Sequence, residues 1–84
     1  MLNFSQALDA LKAGAIMTRK GWNGKGLSIR LQRPDENSKM TRPYLYITTP
    51  AGSTDQFGDS NLSEQRIPWI ASQTDLMAED WTTV

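Results

Sequence analysis

Leu27-Ser28-Ile29-Arg30-Leu31-Gln32 alternates apolar and polar residues without a break. Alternation with a period of two is the signature of a strand with one buried face, here the face of Leu27, Ile29 and Leu31. The next apolar stretch, Tyr44-Leu45-Tyr46-Ile47-Thr48-Thr49, is β-branched and aromatic and carries large groups on both faces, which predicts a second strand covered on both sides. Residues 33–42 between them are polar and end at Pro43, so they read as a loop.

Working toward the N-terminus, Gly21-Trp22-Asn23-Gly24-Lys25-Gly26 is dominated by turn formers, and Asn23-Gly24 is a strong hairpin signal. Ile16–Arg19 before it reads as the partner strand. Phe4, Leu8, Leu11 and Ala15, with Ala7 beside them, recur at helical spacing. Asn3 followed three residues later by Gln6 is a capping-box pattern, and Gly14 is a natural stop, which predicts a helix over about residues 4–13.

Working toward the C-terminus, residues 50–65 are rich in Gly, Ser, Asp and Gln and predict a long loop. Ile67-Pro68-Trp69-Ile70 reads as a short edge strand with proline at its start, where a missing N–H is tolerated. Strand alternation puts Ile67 and Trp69 on one face. Ser72-Gln73-Thr74-Asp75 fits the Ser-x-x-Asp pattern of a helix start, followed by one turn at Leu76-Met77-Ala78. Trp81-Thr82-Thr83-Val84 reads as a last strand. The expected fold is α+β: an N-terminal helix packed on a small antiparallel sheet, with a short helical turn near the C-terminus.

Eighty-four residues fit one domain, residues 1–84, whose own core is marginal. There are no cysteines to staple it, and small unstapled chains often gain stability by oligomerising. The net charge of zero conceals an asymmetry. Residues 1–42 carry eight basic side chains against three acidic ones, and residues 43–84 carry six acidic against Arg66 alone. Opposite-sign halves can attract each other, although exposed pairs contribute only about 0–1 kcal/mol, so charges solvated side by side are the plainer reading. A neutral chain is a poor binder of long nucleic acid. No apolar run approaches membrane-spanning length and the first residues lack a secretory pattern, so a cytoplasmic protein is expected.

The absence of histidine and cysteine removes the usual catalytic triads and the commonest zinc ligands. Asp75 and Glu79, four apart, would lack further metal ligands; a helix cap and an exposed acid explain them better. Two tryptophans stand in unusual company. Trp22 lies among Asn23, Gly24, Lys25 and Gly26, where a ring, an amide, a cation and close backbone approach suit a flat anionic ligand. A ring that caps the core looks the same in sequence, so both readings stand for Trp22. Trp69 is flanked by Ile67 and Ile70 and reads closer to core, yet Ser72-Gln73-Thr74-Asp75 follows. The N–H groups of a helix start favour an anion or an acceptor, whereas Asp75 opposes an anion and could accept from ribose hydroxyls or an exocyclic amine. Trp81 reads as core or subunit interface.

Asn3-Phe4, Ala7-Leu8, Leu11-Lys12-Ala13-Gly14, the block Arg19–Gly26, Pro43-Tyr44 and above all Pro68-Trp69-Ile70-Ala71-Ser72-Gln73-Thr74-Asp75-Leu76-Met77-Ala78-Glu79-Asp80-Trp81 resemble a small phage and prophage family, Thoeris anti-defence protein two. The resemblance leaves out residues 33–42 and 50–66, and the 50–65 stretch is longer than the family's link. It implies a sponge that binds cyclic ADP-ribose isomers made by bacterial TIR-domain proteins, holds them without cleaving them, and so blocks the Thoeris effector. It further implies cyclic dinucleotides of CBASS-type signalling as a second ligand class in some members, no cofactor, a homotetramer with pockets between subunits, and action in the cytoplasm of the bacterial host. By matching motif, Trp22, Asn23, Gly24, Trp69, Ser72, Gln73, Thr74 and Asp75 are implied pocket residues, with Lys25, Gly26 and Ser28 weaker candidates for the second ligand. An enzyme degrading the same signal is disfavoured by the missing histidine and cysteine; a protein-interaction module anchored by its tryptophans is the alternative.

Overall fold

The computed structural model describes residues 1–22, 26–50 and 64–84. Helix α1 (Phe4–Lys12) is followed by β1 (Met17–Arg19), β2 (Ser28–Gln32), β3 (Tyr44–Thr49), β4 (Gln65–Pro68), α2 (Gln73–Met77) and β5 (Trp81–Thr83). The strands form one antiparallel sheet in the order β4-β3-β2-β1-β5. This is the α+β architecture that the hydrophobic pattern predicts.

The capping box closes α1 at its N-terminus. The Gln6 N–H donates to Asn3 Oδ1 (2.9 Å) and the Asn3 N–H donates to Gln6 Oε1 (3.0 Å). At the other end the Ala15 N–H reaches the Ala10 carbonyl (2.9 Å) and the Gly14 N–H that of Leu11 (3.0 Å). That pairing requires a left-handed residue, and Gly14 supplies it with φ of 100°.

The strand register sorts the sheet residues into two faces. Met17 stands opposite Ile29 and Thr83, Arg19 opposite Trp81, and Ile29 opposite Ile47, which in turn faces Ile67. Helix α1 packs over β1, β2 and β5 on this side. Its Ala7 and Leu11 join Met17, Ile29 and Trp81 as the fully buried apolar core. The N-terminus zips onto the last strand: the Leu2 N–H donates to the Trp81 carbonyl (2.8 Å) and the Trp81 N–H returns the bond to Leu2 (3.1 Å). The two chain ends thus close the core over Trp81.

Three expectations need correction. The strand expected over 67–70 runs from Gln65 to Pro68, because Gln65 and Arg66 extend the ladder with Thr49 and Thr48. Pro68 therefore ends the strand rather than starting it, still at the sheet edge where its missing N–H costs no ladder bond. Strand β3 is not covered on both sides along its length: Tyr44 is exposed, and on the face away from α1 it borders a groove lined by Arg30, Gln32, Tyr46 and Arg66. Ser28, between two apolar residues in the alternation, is itself buried, so the polar half of the pattern is not all solvated. The Asn23-Gly24 turn and most of the 50–65 stretch lie outside the described residues.

The core is small, so its largest member carries much of it. Replacing a buried tryptophan with alanine typically costs about 3–5 kcal/mol. Trp81→Ala is expected to lose that much in urea unfolding. Gly14→Ala, whose new methyl meets nothing within 4 Å but sits at a left-handed φ, is expected to lose only about 1–2 kcal/mol.

Candidate functional site

The short helix α2 carries the residue around which the site is built. Ser72 caps it, with the Asp75 N–H donating to Ser72 Oγ (3.1 Å) and the Ser72 N–H donating to Asp75 Oδ2 (3.0 Å). This second capping box turns the Asp75 carboxylate inward, where it is 8% exposed. Its other oxygen, Oδ1, accepts from Arg19 Nη1 (2.8 Å) and from the indole Nε1–H of Trp22 (3.2 Å). The Asp75 main-chain carbonyl accepts the indole N–H of buried Trp81 (3.1 Å). One residue therefore satisfies a helix cap, a guanidinium and the polar ends of two tryptophans.

Arg19 spans two carboxylates from different nitrogens. Its Nε donates to Asp80 Oδ1 at 2.8 Å while Nη1 holds Asp75. Asp80 Oδ2 accepts the Gly21 N–H (2.8 Å), and a Cβ on Gly21 would lie 2.8 Å from that oxygen. A side chain at 21 would therefore displace the Asp80 carboxylate from the Gly21 N–H. Burial pushes the Asp75 carboxyl up, but the Ser72 N–H, the Arg19 guanidinium, the Ser72 hydroxyl and the Trp22 indole together hold it below the usual carboxylate range. The Arg19 guanidinium likewise holds Asp80 down, and the two acids raise Arg19 in turn.

Four rings gather against this network. Trp81 sits at the centre, 5.3 Å from Trp22, 5.6 Å from Phe4 and 6.1 Å from Trp69 between ring centroids, all edge to face. Trp22 and Trp69 are half-buried and meet at 6.4 Å and 68°. Aromatic pairs in such geometry contribute about 0.5–1.5 kcal/mol beyond their buried area. The bond to Asp75 fixes how far Trp22 can rotate, so the outer edges of the two rings keep a set relation.

Trp22, Trp69, Ser72 and Asp75, singled out on separate stretches of sequence, are brought to one place. Gln73 and Thr74 lie beside them on exposed positions, with Thr74 Oγ1 2.9 Å from Ser72 Oγ. Gly26 and Ser28 lie elsewhere. Gly26 has φ of 86° and packs where a Cβ would be 3.2 Å from Pro50, and Ser28 is buried on the opposite face of the sheet. Asn23, Gly24 and Lys25 are outside the described residues. Asp75, whose sequence setting suggested an acceptor for ribose, already accepts from three protein groups, two on Oδ1 and one on Oδ2. Arg19 and Asp80 were missed as organising residues. The opposite charges of the two halves of the chain were the available signal, and Arg19 is where those halves meet. Among the described residues, no cluster of acids could hold a metal ion.

A helix laid on a five-stranded antiparallel sheet, with a tryptophan cluster tied to a buried aspartate, defines a small α+β protein whose distinctive surface is aromatic and acid-anchored. The chain belongs to the Thoeris anti-defense 2-like family, whose domain model matches residues 2–84. It is similar to Thoeris anti-defense 2 of Bacillus phage SP01, with 34% identity over 89 residues that cover 99% of this chain and 94% of the relative. Membership places the chain among phage anti-defence proteins. No helix among the described residues is long and apolar enough to cross a membrane.

The depressed Asp75 carboxyl makes stability depend on acid. A group held below its unfolded value, near 3.9 for aspartate, stabilises fully above that value, and the contribution is lost as pH falls through the folded value. Urea midpoints measured at pH 7 and at pH 3 should therefore drop for the wild type. Asp75→Asn should be weaker at pH 7 and lose less on acidification; an equal acid dependence would show that Asp75 does not carry it.

Proposed function

We propose that the protein is a non-enzymatic sponge. It binds cyclic ADP-ribose-type signalling nucleotides and holds them intact, so that a Thoeris effector in the host cytoplasm receives no signal. Family membership supports the anti-defence role. The observation that carries the binding mode is the pair of half-buried rings, Trp22 and Trp69, held at a fixed angle beside the exposed polar residues Ser72, Gln73 and Thr74.

Their geometry narrows how a base would bind. At 6.4 Å and 68° the rings cannot sandwich a base between parallel faces. A base would stack on one ring and meet the edge of the other, with Ser72, Gln73 and Thr74 within reach of ribose or exocyclic groups. Stacking contributes roughly 1–3 kcal/mol per base, whereas nanomolar retention needs about 12 kcal/mol. The remainder must come from enclosure, which favours a pocket completed by a neighbouring subunit. Ile70, 91% exposed beside Trp69, and Met77, 76% exposed on α2, are apolar groups that such a neighbour would cover. A homotetramer with shared pockets fits this arrangement.

Retention without cleavage also has a physical basis. The acid nearest the rings, Asp75, is held charged below the usual range by its partners, so it is a weak base and no proton donor at neutral pH. Protein loaded with a cyclic ADP-ribose isomer, washed, denatured and analysed by mass spectrometry should release the intact cycle. Trp22→Ala should release at least tenfold less while keeping its fold. A linear product would show an enzyme, and equal release from the folded variant would remove Trp22 from the site.

A further inference from the structure

Gly21 does not occupy the left-handed region; among the described glycines only Gly14 and Gly26 do. Position 21 instead demands close approach. Its N–H donates to Asp80 Oδ2 at 2.8 Å, and an added Cβ would stand 2.8 Å from the same oxygen. The small residue makes room for an acid rather than for a turn.

That acid holds three consecutive residues. Asp80 Oδ1 accepts from Arg19 Nε (2.8 Å), its main-chain carbonyl accepts the Lys20 N–H (3.3 Å), and Oδ2 takes the Gly21 N–H. The next residue is Trp22, whose own N–H closes the turn onto the Arg19 carbonyl (3.3 Å). The Nε1 end of the Trp22 ring is fixed separately, by Asp75 Oδ1 (3.2 Å). The tryptophan is thus held at two points, its backbone end by Asp80 and its ring by Asp75. One guanidinium, that of Arg19, braces both acids. Asp80 is half-buried and stands outside the apolar core, yet it directly precedes Trp81, whose ring centroid lies 5.3 Å from that of Trp22. A displaced Asp80 carboxylate therefore frees the stem of Trp22 from the segment that carries the ring it packs on.

We propose that Asp80 is a positioning residue for Trp22: through Gly21 and Arg19 it sets where the ring stands, and so how tightly the ring holds a ligand. A group already in place loses less freedom on binding. The identity of what Trp22 holds rests on the sponge reading; the placement of the ring by Asp80 does not.

Asp80→Asn is the near-isosteric test. An amide has one acceptor oxygen, so whichever way it turns, its NH₂ faces either the Gly21 N–H or the Arg19 Nε–H. Gly21→Ala breaks the same contact from the other side, and Asp80→Ala removes the oxygen that the new methyl would meet. Exchange of the indole Nε1–H with solvent, followed by NMR, should be at least tenfold faster at Trp22 in Asp80→Asn and in Gly21→Ala. The Trp81 Nε1–H, bonded to the Asp75 carbonyl, should stay within twofold of the wild type. Affinity for a cyclic ADP-ribose isomer should fall at least fivefold in both variants. Adding Gly21→Ala to Asp80→Ala should change either readout less than twofold, because residues that act through one contact are not additive. Unchanged Trp22 exchange in folded Asp80→Asn, equal acceleration at Trp22 and Trp81, or additive effects of Gly21→Ala and Asp80→Ala would overturn the proposal. So would wild-type affinity in a variant whose Trp22 exchange is accelerated. A wild type that binds no such nucleotide would remove the sponge reading, and the exchange rates alone would then decide the role of Asp80.

Discussion

The inward carboxylate of Asp75 is the constraint on which the rest of the structure turns. It closes the N-terminus of α2, accepts from Arg19 on β1, and fixes the indole of Trp22, while its carbonyl satisfies the indole of Trp81. A buried charge of this kind is costly unless it is paired and hydrogen-bonded, and here its bonds tie α2 to the Arg19–Trp22 segment. Arg19 makes the arrangement rigid rather than merely neutral, because its Nε and Nη1 hold two different acids at once. The carbonyl of Asp80 also takes the Lys20 N–H (3.3 Å), so the segment entering the Trp22 loop is tied to the segment entering β5.

The two faces of the sheet differ in what covers them. On the α1 side, five fully buried apolar residues and the aromatic cluster make a core that is small for its surface. The same cluster that supplies stability reaches the surface through Trp22 and Trp69, both packed against the core yet half-buried. On the other side, arginines and tyrosines alternate with buried Ser28 and Thr48, and no helix of the described residues packs there.

Much of this was legible in the sequence, for local reasons. Leu27–Gln32 and Tyr44–Thr49 declare strands by period and composition, and both capping boxes, Asn3 with Gln6 and Ser72 with Asp75, are short-range patterns that survive folding unchanged. The limits of β4 were not legible, because Gln65 and Arg66 become strand only through pairing with Thr49 and Thr48. Trp22 was undecidable from its neighbours; the structure packs it against Trp81 and leaves it half-buried. Arg19 escaped notice because its partners lie 56 and 61 residues away, a separation that no local pattern reports. The groove on the far face was hidden for the same reason: Arg30, Tyr46 and Arg66 meet only through the register of three strands.

Under the proposed function, the Arg19 and Asp75 network orients the tryptophans for ligand rather than only holding the fold. Arg19→Lys separates the two roles, since lysine keeps the charge but cannot span both acids with separate planar donors. Calorimetric titration of a cyclic ADP-ribose isomer into the folded Arg19→Lys variant is the direct measurement. At least a tenfold loss of affinity is expected, with circular dichroism of the tryptophans altered in the same sample. Wild-type affinity in a variant that remains folded would contradict it.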